Sequence, residues 1–160
     1  MNIFVLHEDT SIASEWSVDK HIVKMPLETA QMLCTAHHKV NADADTPYKA
    51  THKNHPCNLW LVESIENYRW LVSLGLSLCN EYSYRYGKIH KCQEVIEWCK
   101  VNEPQLPQTN KTQYAIAMPD EYKIPNNPIL SYRNYYINAK KHIHQWKKRQ
   151  KPQWIVGTSS

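Results

Sequence analysis

The stretch "NLWLVESIENYRWLVSLGLSLCNEYSYRYG" (58–87) is the longest apolar segment of the chain and carries the main prediction about its fold. It predicts a central helix, for which Pro56 is suited to the first position and Gly87 to the C-terminal stop. Only three glycines occur in the chain, and little of it alternates as a strand would. We therefore expect a mainly α protein.

The remaining segments are arranged around this central helix. Further helical pieces are predicted at 9–16, 18–38, 91–101, 112–118 and 129–150, with Pro26 expected to kink the second and Pro152 to end the last. The polar, turn-rich stretch 41–56 is expected to form a loop that lies over the site. Residues 1–152 are predicted to form one compact helical domain, followed by a flexible tail at 153–160.

Composition and charge limit the possible classes of protein. A chain of 160 residues suits a single domain with a real core. Residues 121–160 contain eight Lys or Arg and one acidic residue, whereas residues 1–120 contain eleven and fourteen. A basic end on a slightly acidic body indicates a polyanionic partner, and a solvated tail is the alternative. Five cysteines without a C-x-x-C spacing, no signal peptide and no apolar run of membrane-spanning length predict a cytoplasmic protein with free thiols.

A polar stripe crosses the otherwise apolar helix at 18–38. His21, Lys24, Glu28 and Gln31 fall within about 80° of one another around the helix axis. A carboxylate beside a lysine and a histidine on an apolar helix is an arrangement that tunes pKa values for acid–base chemistry. The alternative is an exposed stripe in which Lys24 and Glu28 form an ordinary i, i+4 ion pair.

Two other groups of residues suggest ligand binding. His52, His55 and Cys57 in "THKNHPC" are of the types that bind zinc, but the spacing is not that of a known zinc site, so no metal is predicted. Asp120 and Lys123 in "MPDEYK" lie in an irregular segment, which is a weak signal.

Aromatic and basic residues alternate in four stretches, at 67–70, 82–88, 131–136 and 140–154. Basic side chains contact phosphates while aromatic rings stack on bases, so such stretches suit nucleic acid. For 140–154 we favour this interpretation, and for the other three we favour a place in the core. The residues expected to contact DNA are Arg69, Arg133, Lys140, Lys147, Lys148 and Trp146, with Trp60 or Trp146 as a stacking partner for an extruded base.

"DKHIVKMPLE" (19–28) resembles the first-helix segment of the phage pyrimidine-dimer DNA glycosylases, the endonuclease V family, in which a catalytic Glu follows a His by seven residues. Here that spacing runs from His21 to Glu28. "KNHP" (53–56) before a long helix is similar to bacterial members. The chain looks closer still to uncharacterised phage proteins that share "DKH…K…E…Q" and "MPDEYK". The resemblance covers about residues 1–90 and implies a compact α domain that binds duplex DNA and extrudes a base.

The family's chemistry implies a role for the stripe. In that family an N-terminal α-amine attacks C1′ of the sugar and forms a Schiff base, while the Glu handles protons and positive charge. The resemblance assigns this role to Glu28, with His21 beside it. The chain departs from the family at the nucleophile, because it begins Met-Asn rather than exposing a Thr. The candidate amines are those of Met1, Asn2 or Lys24, and Glu28 could instead activate water.

We therefore predict a DNA N-glycosylase, with abasic-site lyase activity as a possible addition, that acts on damaged or modified pyrimidines in duplex DNA without a cofactor. Its catalytic residues would be Asn2, His21, Lys24 and Glu28, and the residues Gln31, Asn54 and His55 would contact the substrate. A monomer is expected, in the cytoplasm of a host cell if the chain is phage-encoded. The alternatives are a non-catalytic phage protein that binds nucleotides or nucleic acid, and an enzyme acting on free nucleotides.

Overall fold

The computed structural model describes residues 1–156, and within them the protein is mainly helical without a strand. The prediction of a mainly α protein is confirmed. Six α-helices and two short 3₁₀ turns follow one another in the chain: α1 (Thr10–Glu15), α2 (Asp19–Val40), α3 (Pro56–Leu61), α4 (Ile65–Tyr86), α5 (Gln93–Val101), Asp120–Tyr122, α6 (Pro128–Ala139) and Lys141–Ile143.

Helices α2 and α4 form the centre of the molecule, and α1, α3 and α5 pack against one or both of them. Gly75 lets α2 and α4 approach closely, because a Cβ at this position would lie 2.8 Å from Thr29 Cγ2. Helix α2 runs through Pro26 and agrees with the predicted segment 18–38 to within two residues at its C-terminal end. Its inner face places His21 and Glu28, together with the apolar residues, in the interior.

The predicted single helix at 58–87 is wrong, because the chain breaks between α3 and α4. Ser64 ends the break, since its hydroxyl accepts a hydrogen bond from Glu66 N and starts α4 as an N-cap. Its hydroxyl also donates to Thr109 O at 2.5 Å, so the break between α3 and α4 is hydrogen-bonded to the segment around residue 109. Pro56 does open α3, and Gly87 ends α4 in the left-handed conformation, as predicted.

The brief helix predicted at 112–118 is wrong, because this segment has no regular secondary structure. Its backbone is bound instead by side chains from elsewhere. Tyr132 Oη lies 3.2 Å from Ala117 N and 3.0 Å from Ala115 O, and Asn2 Nδ2 donates to Ala117 O. These contacts to distant residues replace the local hydrogen bonds of a helix.

The helix predicted at 129–150 is also too long, because α6 ends at Ala139 rather than at Pro152. After α6 the chain turns back toward the start of α2, where Asp19 N donates to Gln145 O and His144 Nε2 lies 2.8 Å from Tyr136 O. Lys148 adopts a positive φ of 61°, which a helix does not allow.

The two ends of the described chain pack into the domain. Residues 3–6 are buried although they form no helix or strand. The predicted tail begins at residue 153, where Trp154 contacts Trp16 and Ile155 is buried, and residues 157–160 lie outside the described part of the chain. Within residues 1–156, the helices are all too short or too polar to cross a bilayer.

Candidate active site

The carboxylate of Glu28, on the polar stripe of α2, lies close to three nitrogen atoms. Its Oε1 accepts a hydrogen bond from Asn2 N at 3.1 Å and lies 3.4 Å from the α-amine of Met1. Its Oε2 lies 3.6 Å from Lys24 Nζ. The Glu28 side chain is only 9% exposed, whereas that of Lys24 is 70% exposed. We call Met1, Asn2, His21, Lys24 and Glu28 the Glu28 site.

Asn2 is the best-anchored residue of the Glu28 site. Its Nδ2 donates to Ala117 O at 2.8 Å, and its Oδ1 accepts from Ile3 N at 2.8 Å. The same Oδ1 lies 3.0 Å from Tyr132 Oη and 3.7 Å from Cys57 Sγ. These contacts fix the start of the chain against α3, α6 and the segment around 117, so that the backbone nitrogen of Asn2 points at Glu28.

His21 lies two helical turns before Glu28 and is buried under the ring of Phe4. The two rings stack with their centroids 4.1 Å apart, and His21 Nδ1 lies 2.6 Å from Tyr136 Oη. Burial lowers the pKa of His21 to about 3, and the positive charges of Lys140 and Lys24 act in the same direction. The imidazole is therefore neutral at physiological pH. Asn2 and His21 line the same small cavity, of about 10 Å³.

His55 joins the site from α3. It is the N-cap of that helix, since its Nδ1 accepts a hydrogen bond from Cys57 N at 3.1 Å. Burial lowers the pKa of His55, and the α-amine of Met1 and His52 lower it further, whereas a hydrogen bond to the Met1 backbone opposes the change. The neighbouring Asn54 is exposed.

Aromatic rings and one lysine surround the ring of Phe4 on its outer side. Tyr135 lies nearly parallel to Phe4, at 6.3 Å between centroids, and Tyr122 packs against Tyr135 at 5.3 Å. Lys140 Nζ lies 4.9 Å from the centroid of Tyr135 and 5.9 Å from that of Phe4. A half-buried aromatic surface with a cation above it therefore adjoins His21.

The structure brings the four predicted catalytic residues together, with His55 beside them, and separates the other predicted residues from them. Gln31, one turn beyond Glu28, lines a groove of about 430 Å³ whose other walls include Tyr48, Lys49 and Thr51. Asp120 and Lys123 form an exposed ion pair at 3.0 Å. Cys57 is buried, and the described residues contain no group of three His, Cys, Asp or Glu that could hold a metal ion.

The residues expected to contact DNA occupy different environments. Arg69 is exposed and pairs with Glu66 and Glu103 at 2.8 and 2.7 Å. Arg133 is half-buried, donates from Nε to Leu6 O and lies within 5.5 Å of the ring centroids of both Trp16 and Trp154.

The remaining predicted DNA contacts lie in the segment after α6. Lys147 and Lys148 are exposed, and their Nζ atoms lie over the rings of Tyr86 and Tyr84. Trp146 is half-buried and donates from its indole to Trp16 O. Trp60, the other predicted stacking ring, is buried within α3.

Phe4, Tyr132 and Tyr136 were not among the predicted site residues. Tyr132 and Tyr136 are four residues apart in α6 and fully buried. Their i, i+4 spacing could have predicted that both rings lie on the same face of the helix. The position of Phe4 over His21 depends on how residues 1–6 pack against α2, and no local sequence pattern predicts it.

No family model matches the chain, nor does any curated protein or solved structure.

Proposed function

We propose that the protein is a DNA N-glycosylase with abasic-site lyase activity, in which an amine is the nucleophile and Glu28 exchanges protons with it. The observation that supports the proposal is the position of one buried carboxylate within 3.6 Å of an α-amine and a lysine. Amines and carboxylates that meet on a surface usually form an ion pair of little energetic value. Here the carboxylate is buried, the α-amine of Met1 lies beside it with little exposure, and only Lys24 approaches it from the solvent side.

The chemistry needs this pair of groups. A free amine attacks C1′ of a deoxyribose, a C–N bond forms, and the damaged base leaves or, at an abasic site, water leaves from the carbinolamine. When the base leaves, the C1′–O4′ bond of the resulting glycosylamine then breaks and O4′ takes up a proton, whereas the carbinolamine at an abasic site loses water directly. The product of both routes is an imine, and each stage moves one proton to or from nitrogen or oxygen. Glu28 Oε1 lies close enough to the α-amine to accept that proton and return it.

The α-amine is the preferred nucleophile of the two. α-Amines have an ordinary pKa of about 8, against about 10.4 for lysines, so a larger fraction is unprotonated at neutral pH. The α-amine of Met1 lies beside the buried face of Glu28, whereas Lys24 is largely exposed. Removal of Met1 would transfer the role to Asn2, whose nitrogen already lies 3.1 Å from Glu28 Oε1.

Duplex DNA is the proposed partner because of the segment that follows α6. Lys140 adjoins the ring that covers His21, and Lys147 and Lys148 continue along the same segment. Their ammonium groups lie over tyrosine rings rather than against carboxylates, so phosphates would not have to displace an acidic partner. The half-buried ring of Tyr135 offers a stacking partner for an extruded base.

The test is borohydride trapping on duplex DNA that contains either an abasic site or ultraviolet lesions. Wild type, Glu28→Gln and the control Glu97→Gln, which changes an exposed carboxylate on α5, are compared. We expect wild type and the control to form a covalent adduct, and Glu28→Gln to lose at least about 100-fold in rate. Peptide mass spectrometry of the adduct identifies the amine.

The outcomes separate the candidate functions. An adduct on Lys24 would overturn the choice of nucleophile, and equal trapping by Glu28→Gln would overturn the role of Glu28. Absence of any adduct or base release on both substrates would overturn the glycosylase proposal. Tight duplex binding in that case would favour a non-catalytic nucleic-acid-binding protein.

Duplex binding is tested by its salt dependence. The logarithm of the binding constant should fall with the logarithm of the salt concentration, with a slope of about −0.9 for each phosphate contacted. Replacing Lys140, Lys147 and Lys148 by Gln should make that slope less negative by about 3, whereas Lys100→Gln on α5 should leave it unchanged. An unchanged slope in the triple variant would place the DNA surface elsewhere.

A further inference from the structure

His21 has one nitrogen occupied and one available. Nδ1 lies 2.6 Å from the hydroxyl of Tyr136, which is fully buried on α6. Nε2 makes no hydrogen bond to a described residue, and the His21 ring lines the small cavity that Asn2 also lines. The question is which of the two nitrogens carries the proton, because a neutral imidazole has only one.

The surroundings of Tyr136 indicate the answer. Val18 N, at the start of α2, donates to Tyr136 Oη at 3.3 Å and occupies one lone pair of that oxygen. The hydroxyl proton of Tyr136 therefore remains free to point at His21. A phenol is a far stronger donor than a neutral imidazole N–H, and an imidazole nitrogen is a stronger acceptor than a phenol oxygen. The short contact is best described as Tyr136 donating to Nδ1.

The charges around His21 oppose a second proton on the ring. Lys24 on the same helix and Lys140 beyond α6 are the charged groups that act on it, and both are positive. The neighbours contributed by the N-terminal segment and by α4, Phe4 and Leu74, are uncharged. Burial and these two lysines hold the pKa of His21 far below neutrality, in agreement with a ring that has only one proton.

We infer that Tyr136 is a positioning residue that fixes His21 as a neutral Nε2–H donor. His21 then donates a hydrogen bond to an acceptor atom of the ligand, such as a pyrimidine carbonyl or a sugar oxygen, and does not shuttle protons. The identity of the ligand rests on the proposed glycosylase function, whereas the tautomer of His21 does not. Proton transfer in the site is thereby assigned to Glu28 alone.

The tautomer can be measured directly on the full-length protein. Long-range ¹H–¹⁵N correlation spectra of ¹⁵N-labelled wild type distinguish protonated from unprotonated ring nitrogens, and His21→Gln assigns the signal among the nine histidines. We expect Nε2 protonated, Nδ1 unprotonated, and no titration between pH 5 and 8. A proton on Nδ1, as would arise if the Tyr136 hydroxyl turned toward Ser17, would overturn the inference. So would a titration within that range.

A variant pair tests the role of Tyr136. Tyr136→Phe removes the donor to Nδ1 and should yield a mixture of the two tautomers. Tyr68→Phe removes another fully buried hydroxyl, one that donates to Cys99 O, and should leave the His21 signals as in wild type. Identical spectra for all three proteins would overturn the positioning role. The wild-type tautomer remains a test in itself should Tyr136→Phe fail to fold.

Trapping kinetics test the donor role. Glutamine retains an N–H donor near the place of Nε2, and phenylalanine retains only the ring. We expect His21→Gln to trap abasic DNA at least about 10-fold faster than His21→Phe, the size of effect of one hydrogen bond. Equal losses in the two variants would overturn the donor role and favour acid–base work by His21. Absence of trapping by wild type would count against the proposed function, while the spectra would still decide the tautomer.

Discussion

Two buried glutamates of this protein, Glu28 on α2 and Glu81 on α4, are held in different ways. Both oxygens of Glu81 accept hydrogen bonds from guanidinium groups, with Arg85 Nε at 2.7 Å and two nitrogens of Arg149 at 3.0 Å. Glu28 has one backbone N–H and two amines at longer distances, one of them on an exposed lysine. The carboxylate of Glu81 is saturated with charged donors, whereas that of Glu28 retains room for a reacting group.

The surroundings of Glu81 indicate a structural role, and those of Glu28 indicate a chemical one. Arg85 is fully buried and also donates to Asp19 Oδ1, to Ser17 O and to Glu15 O, so it joins α4 to the turn between α1 and α2. We call Asp19, Glu81, Arg85 and Arg149 the Arg85 network. A fully buried guanidinium that makes four hydrogen bonds is costly to disrupt. A buried carboxylate with weaker partners is available for chemistry.

The largest effect is expected from Arg85→Met. The substitution removes one donor from each of two carboxylates and two backbone carbonyls, which should lower the free energy of unfolding by about 3–5 kcal/mol. Urea denaturation measures the change. Arg69→Met is the matched control, since Arg69 also binds two carboxylates but lies exposed, and it should lower the free energy of unfolding far less than Arg85→Met does. Comparable losses in the two variants would contradict the special status of the Arg85 network.

Neutralising the two glutamates compares the regions directly. Glu81→Gln removes a charge that two arginines share and should lower the free energy of unfolding by about 2–3 kcal/mol. Glu28→Gln should lower it less than Glu81→Gln does, because Lys24 is already largely in water and a neutral amide still accepts from Asn2 N. Urea denaturation at pH 7 checks both values. Greater destabilisation by Glu28→Gln would show that Glu28 is structural.

The two regions should also respond to acid in different pH windows. The pKa of His21 is lowered from 6.5 to about 3, so below pH 6.5 the unfolded chain binds a proton that the native protein does not. The free energy of unfolding contributed by this group therefore falls as the pH falls, by about 1.4 kcal/mol per unit below pH 6. Wild type should show a steeper decline between pH 6.5 and 4.5 than His21→Phe. Parallel curves would mean that His21 titrates normally in the native state.

Glu81 affects the free energy of unfolding in a lower pH range than His21. Burial raises the pKa of its carboxyl, but hydrogen bonds from Arg149 and Arg85 outweigh burial, so its pKa lies below its ordinary value of 4.5. A lowered carboxyl pKa means that the stabilisation is complete above pH 4.5 and is lost as the pH falls through the native pKa. The difference in stability between wild type and Glu81→Gln should therefore be constant from pH 5 to 7 and shrink only below pH 4.5.

The sequence predicts the stripe on α2 but not the partners that turn it into a site. The periodicity of His21, Lys24 and Glu28 is a local property of a helix, and the structure confirms that these residues share a face. The arrival of Met1 and Asn2 at Glu28 depends on contacts with Ala117 and Tyr132, more than a hundred residues away in the chain. No local pattern contains such information.

The errors in the predicted helices have the same origin. An apolar composition favoured one long helix at 58–87, yet the Ser64 hydroxyl and Thr109 O divide it through a contact between distant residues. The aromatic and basic run at 129–150 favoured a helix throughout, yet Arg149 leaves it to bind Glu81 and Lys147 N binds Asp19. Helix propensity is a weak preference, and these tertiary bonds outweigh it.

The smallest change in stability is expected from Lys24→Met. An exposed i, i+4 ion pair contributes only about 0.3–0.5 kcal/mol, so Lys24→Met and the control Lys20→Met, one turn earlier on α2, should unfold at nearly the same urea concentration. Trapping of abasic DNA should separate them, because Lys24 lies 3.6 Å from Glu28 and acts on His21, whereas Lys20 contacts neither. Equal trapping by the two variants would remove Lys24 from the Glu28 site. Slower trapping by Lys24→Met at unchanged stability would show that a lysine with almost no structural role is there for the chemistry.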